Sequence, residues 1–180
     1  MSTPRALRRM MTLRGDARGV SAVEFALILP ILVLLYLGCV EVSLALTVDR
    51  KVTTAGSVVG DLVAQSAKLC TADINNIFDA TTSVLTPYPA APLKIIVSYV
   101  TIDDSGAKVV WSEAKNDTKR AAGSKIILPP DVSVAGTDLV VAEVSYLYAP
   151  TFGQAIKENL TFADTFYLRP RHTKGVARGC

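Results

Sequence analysis

A chain of 180 residues, half of them hydrophobic, has room for one modest domain beside a single membrane helix. Its formal charge of +3 does not make it a nucleic-acid binder: Arg5, Arg8, Arg9, Arg14 and Arg18 all lie in the first nineteen residues, and without that stretch the balance is 14 basic against 15 acidic side chains. One histidine and three scattered cysteines leave no ligand set with metal-binding spacing.

Residues 1–19 read as a basic leader with small residues near its end and no apolar run of its own. A secretory signal peptide places its apolar region before its cut; here the order is reversed, so a cut after Gly19 leaves the apolar helix on the mature chain. That helix is predicted over residues 20–48. Its centre, residues 25–40, carries no charge, and at about 1.5 Å per residue the whole segment extends roughly 40 Å, enough to cross a bilayer. Five arginines on its N-terminal flank place that end in the cytoplasm by the positive-inside rule and the body of the chain, residues 49–180, on the far side.

The entry to the span reads Arg18-Gly19-Val20-Ser21-Ala22-Val23-Glu24-Phe25. A carboxylate deep in a bilayer costs about 3 kcal/mol on insertion scales, so Glu24 calls for a cation or an interfacial position. A cut between Gly19 and Val20 creates an α-amino group four residues away on the same helix face; a neighbouring subunit in a bundle would serve equally. Glycine, cut, four residues, glutamate and an aromatic resembles the processing site of type IV prepilins. The continuation Phe25-Ala26-Leu27-Ile28-Leu29-Pro30 is similar to the TadE/TadF/TadG class of pseudopilin-like proteins of tight-adherence (Flp) pilus systems; no landmark separates the three, and the short length disfavours the larger TadG-like chains. The resemblance implies a pilin-like fold, cleavage at Gly19-Val20 by a membrane prepilin peptidase, and an assembly role for Glu24 and Phe25. It also implies partners among pilin and pseudopilin subunits and an inner-membrane assembly platform. Three other processing routes compete. Ser43-Leu44-Ala45 suits ordinary signal peptidase, Leu37-Gly38-Cys39 faintly resembles a lipobox with Tyr36 in the usual leucine place, and the span also suits an uncleaved signal anchor.

Beyond the span, Val48, Val52, Ala55, Val59, Leu62, Ser66 and Leu69 recur at steps of four and three, the spacing of one helical stripe. One long helix is therefore expected, half in lipid and half against a sheet, with Gly56 and Gly60 allowing a bend or close packing. Thr71-Ala72-Asp73-Ile74 offers the start of a second helix ending near Leu85, and the prolines at 87, 89 and 92 stop it. Strands are expected over 93–102 and 107–112, joined by Asp104-Ser105-Gly106, with a brief apolar run at 126–128. Residues 138–148 give the clearest strand: Val140, Ala142, Val144, Tyr146 and Tyr148 share a face, and Glu143 and Ser145 point away. A short helix over 151–160 and a last strand over 161–169 complete an α+β architecture in which one sheet face lies on the long helix. Gly60 to Gln65, Val144 to Pro150 and Tyr167 to Arg171 extend the TadE resemblance along the chain.

Catalysis is not expected. No nucleophile elbow, phosphate loop or His-Glu-x-x-His is present; His172 reads as a solvated tail residue, Asp103-Asp104 as hairpin chemistry, Trp111 as a strand residue and Glu41 as a headgroup-level carboxylate. No cofactor is implied. Cys39 lies in the span, so Cys70 and Cys180 are the two cysteines that share the oxidising side. They are expected to bridge, the alternatives being free thiols or a link from Cys180 to another chain. Together these features point to a minor pilin or pseudopilin of a pilus used in adhesion or secretion. The contrasting function is a signal-anchored periplasmic binding or sensing domain with no filament role.

Overall fold

One helix, α1 (Val20–Ala64), runs without interruption for 45 residues, about 68 Å at the α-helical rise. It belongs to a computed structural model that describes residues 19–150, 153, 156–172 and 175–180. Pro30 sits inside α1; its ring has no N–H to return to the Ala26 carbonyl, yet the helix continues through it. The expected apolar run and amphipathic stripe are thus two halves of one rod, the first exposed and the second packed.

The buried face comprises Glu41, Ala45, Val48, Val52, Ala55, Gly56, Val59, Gly60, Val63 and Ala64. Leu62 and Ser66, which the stripe of alternating fours and threes included, are only half-buried. Steps averaging 3.5 residues lag the 3.6-residue turn by about 20° per heptad, so by the second heptad Val63 has replaced Leu62 over the sheet. The helix ends at Ala64, and Leu69 is buried instead from a two-residue strand, β1 (Lys68–Leu69).

The second helix, α2 (Thr71–Ser83), starts where its capping signal sits. Asp73 reaches back, its Oδ2 accepting the Cys70 N–H at 2.8 Å, which satisfies a donor at the helix entrance. It stops two residues before Leu85, where the Val84, Leu85 and Thr86 N–H groups turn to carbonyls three residues back; Lys51 of α1 collects carbonyls just past that end, Nζ donating to Val84 at 3.0 Å and Thr86 at 2.9 Å, and a cation there also suits the helix dipole. Ile74 and Phe78, four apart, bury against α1.

Four antiparallel strands form the sheet: β2 (Leu93–Asp103), β3 (Gly106–Lys115), β4 (Thr137–Tyr148) and β5 (Leu160–Leu168), in the order β3-β2-β4-β5. The β2–β3 turn is made as read: Asp103 accepts the Ser105 N–H at 2.8 Å and faces the Lys108 ammonium at 2.8 Å. The Lys108 contact leads the effects that hold the Asp103 carboxyl down to about 2. Val140, Ala142, Val144, Tyr146 and Tyr148 all bury toward the helix. The opposite face is not simply polar. Leu139 and Val141 join Val100, Ile102, Ala107 and Val109 in a second cluster, and Ile126, Leu128 and Val132 from the β3–β4 connection cover it. Ile126 and Leu128 of the apolar run at 126–128 are therefore a lid rather than part of a ladder strand, tied by the Ile126 N–H to the Ala107 carbonyl at 3.1 Å, while Ile127 between them points to solvent.

The expected helix over 151–160 is not seen at residues 153 and 156–159, and Leu160 already belongs to β5; residues 151, 152, 154 and 155 lie outside the described residues. A further strand, β6 (Ala177–Arg178), pairs in parallel with β1 and was not anticipated.

Gly56 and Gly60 serve close packing. A Cβ at Gly56 would stand 2.6 Å from the Phe166 ring and 2.8 Å from Val144 Cγ2, and one at Gly60 would stand 2.5 Å from Leu168 Cδ1 and 3.2 Å from the Ala142 Cβ. Overpacking of this kind costs about 1–3 kcal/mol, more than the helix propensity of about 1 kcal/mol that replacing glycine recovers. Gly56→Leu should lower the denaturation midpoint of the detergent-solubilised chain, read by Trp111 fluorescence, whereas Thr54→Leu on the exposed face should leave it nearly unchanged.

Candidate assembly and anchoring surface

Gly19 is the N-cap of α1, with φ −82 and ψ −19, a conformation open to any residue. A Cβ built on it meets nothing within 4 Å. The fold therefore makes no demand for glycine at that position. Val20 follows at the first helical turn, 54% exposed, and Phe25 is 59% exposed. Glu24 is exposed as well, four residues from Val20 and hence on its side of the helix. The structure brings these four residues together at one end of α1, far from the sheet. The basic residues 1–18 lie outside the described residues.

From this tip the helix shows a continuous apolar surface through Leu27, Ile28, Ile31, Leu34, Leu35 and Tyr36. By length and composition it can cross a membrane. Glu41 differs from its reading as a headgroup-level carboxylate. It is fully buried, and its Oε2 accepts the backbone N–H of Ile156 at 3.2 Å. Sequence reasoning missed this because the partner lies 115 residues away.

Residues 19–59 match the family model described as TadE-like protein. The chain carries a TadE-like domain. Involvement in the Tad pilus system, with pilus-related partners, follows from that match. No curated protein and no solved structure matches the chain.

The TadE-like segment ends at residue 59, midway along the helix–sheet contact, and the head beyond it is closed by its C-terminal residues. Cys70, at the entrance of α2, and Cys180 form a disulfide with Cα atoms 5.4 Å apart, while Cys39 is a free exposed thiol on the helix. Around that bridge, Ala177 N–H donates to Ala67 O at 3.0 Å and Gly179 N–H to Leu69 O at 3.1 Å. Arg178 donates to Glu113 Oε1 at 2.9 Å and to Leu69 O at 3.0 Å. Trp111 is a core residue whose indole N–H donates to the Val176 carbonyl at 2.8 Å. Tyr99 stacks beside it with centroids 6.1 Å apart and donates its hydroxyl to Asp138 at 2.6 Å. Gly175, at φ +72, passes so close that a Cβ would collide with that hydroxyl. Burial first, then the Asp138 carboxylate, push the Tyr99 phenol up to about 12.

His172 is exposed, as read, with Nε2 2.9 Å from the Gln65 carbonyl. Among the described residues no group of three or more His, Cys, Asp or Glu is arranged to hold a metal. On the sheet face away from α1 an open groove of about 500 Å³ is lined by Lys94, Asp117, Glu143, Ser145 and Thr165. Its charges answer one another: Lys94 lies 3.5 Å from Asp117, and Arg120 grips Glu143 with both guanidinium arms.

The bridge closes a loop spanning 110 positions, for which chain entropy gives about 5 kcal/mol. Intact-mass analysis without reductant should show Cys70 and Cys180 resistant to alkylation, and the Cys70→Ser/Cys180→Ser variant should unfold at clearly lower denaturant. Tyr99 makes a separate pH prediction. Its phenol ionises later folded than unfolded, so the stability it contributes is complete below pH 10 and is lost as pH rises toward 12. Tyr99→Phe should flatten that alkaline loss, measured as the denaturation midpoint across the same window.

Proposed function

We propose that this chain is a minor pilin or pseudopilin of a tight-adherence type IVb pilus, processed between Gly19 and Val20 and held in the inner membrane by α1 with its head in the periplasm. The observation that carries the proposal is Gly19: neither backbone conformation nor space requires glycine there, so its place is best explained by a peptidase that reads the chain before folding is complete. The exposed apolar half of α1, continuous with a packed head, has the form of a subunit that leaves the bilayer by exchanging lipid contacts for contacts with other subunits. The ordinary signal-peptidase route fits less well. A cut after Ala45 would sever α1 inside its buried stretch and remove Glu41 from the head.

In this reading the chain performs no chemistry at its own N-terminus; a membrane prepilin peptidase does. Hydrolysis frees the Val20 amino group, and Glu24 then offers a carboxylate one helical turn away, either to that amine or to the amine of a neighbouring subunit. Breaking one side of such a pair in a low-dielectric bundle costs about 3–5 kcal/mol, which makes the pair a strong selector of neighbours. Assembly-platform and pilin subunits are the partners this geometry suits.

N-terminal sequencing of membrane-extracted protein made alongside a matching peptidase should find Val20, and Gly19→Leu should leave residues 1–19 attached without changing the far-UV spectrum of the head. A start at Leu46 would establish ordinary secretion instead. Glu24→Leu and Glu24→Gln should both be cleaved and reach the membrane normally. Recovery of partner pilins with them should fall by more than about tenfold, in keeping with the cost of an unpaired charge. Unchanged recovery would remove the pairing role, and lost cleavage would reassign Glu24 to peptidase recognition.

A further inference from the structure

Charged side chains mark the limits of what α1 can show to lipid, and the fold has hidden one of them. Between Glu24 and Asp49 the sequence has a single charge, Glu41, and that carboxylate is 0% exposed, covered by the head and bonded to the Ile156 N–H. The helix surface left in view is therefore uncharged from Phe25 to Thr47. Val42 and Leu46, 48% and 53% exposed, prolong the apolar face beyond Glu41. Ser43 and Thr47 return their hydroxyls to the carbonyls of Cys39 and Ser43, each at 2.8 Å, so neither needs water. Asp49, partly exposed, and Arg50, exposed, are the first charges that follow. This uncharged surface is about 35 Å long at the helical rise, close to the roughly 30 Å hydrocarbon core of a bilayer with a few ångströms of interface. A boundary at Val40, just ahead of the first carboxylate, would leave Val42 and Leu46 in water.

The head overlaps this stretch. Thr53 bonds Asp164, Gly56 lies under Phe166 and Gly60 under Leu168, so β5 runs alongside α1 in the same direction, and Ile156, four residues ahead of it, lies back toward the span. Ile156 meets Glu41 about 18 Å nearer the membrane than the Thr53–Asp164 contact, at 1.5 Å per helical residue.

We propose that lipid acyl chains of the head-side leaflet cover the α1 face formed by Cys39, Val42, Ser43, Leu46 and Thr47, so that the head is sunk to the level at which Ile156 covers Glu41, with the exposed Lys157 and Glu158 beside Ile156 reaching back to the headgroups on their long side chains. The inference rests on the membrane anchoring proposed above. Burial under its own head is what lets a carboxylate occupy this depth, since the protein supplies the N–H that lipid cannot.

The test uses the full chain in vesicles of phosphatidylcholine and phosphatidylglycerol. Cys39→Ser removes the free thiol, the Cys70–Cys180 bridge stays oxidised, and single cysteines replace Leu35, Leu46 or Arg50 for labelling with bimane. Fluorescence is quenched either by aqueous iodide or by nitroxide on the acyl chains. The label at position 46 should behave like that at 35, quenched by the nitroxide lipid and several-fold less by iodide than the label at 50. If 46 follows 50 while 35 remains lipid-quenched, the sunken head is overturned and the anchoring stands. Iodide access at 35 as well would overturn the anchoring and this inference with it. Protection of 46 from both quenchers would mean that a second copy, not lipid, covers the face, which also overturns the proposal.

Discussion

The close approach of α1 to β4 and β5 is the contact on which the rest of the structure depends. Gly56 and Gly60 remove the side chains that would hold the helix away, and Phe166, Val144, Leu168 and Ala142 occupy the space. Each glycine weakens the helix by up to about 1 kcal/mol relative to alanine. Burial of Val52, Val59 and Val63, at about 1.5 kcal/mol or more for each side chain, more than offsets that cost. Because α1 is a single helix, fixing its second half on the sheet also fixes the direction in which its apolar half leaves the head. No linker separates the two. The orientation of Glu24 and Phe25 relative to the head is thus carried by the helix itself.

The head uses distant parts of the chain to hold that contact in place. Lys51, on the helix, collects the carbonyls past the end of α2, while β6 lies beside β1 and the Cys70–Cys180 bridge locks the two. Tyr99, Trp111 and Val176 form a buried patch between the sheet and these C-terminal residues. On the opposite sheet face the apolar lid at Ile126, Leu128 and Val132 covers one end, and paired charges line the open groove at the other. Polar groups in these places are bonded to protein, and the head presents its large uninterrupted apolar surface on α1 alone among the described residues. A chain built this way has one long apolar surface, on the first half of α1, and a separate, self-contained head.

Much of this was legible in the sequence because it follows from local rules. A mostly apolar segment over 20–48 long enough to cross a bilayer, a period near 3.6 after residue 48, a period of two over 138–148 and prolines at 87, 89 and 92 each act over a few neighbouring residues. They give the long helix, the position of α2, the main strands and the α+β class without knowledge of any distant contact. The sequence around Gly19 also suggested the TadE relationship that the match over 19–59 bears out.

Tertiary structure decided what depends on partners far apart in the chain. Spacing alone could not place Val63 over the sheet in preference to Leu62, since the choice depends on the accumulated lag between a 3.5-residue pattern and a real helix in contact with something flat. Nor does a lone glutamate in an apolar run disclose that Ile156 will cover it. The β1–β6 pair and the lid at 126–132 come from segments too short to have a period of their own, and the sheet is what gives them a place. Local chemistry determined which elements form; only their packing decided which faces are hidden, and therefore which apolar surface of α1 is left exposed.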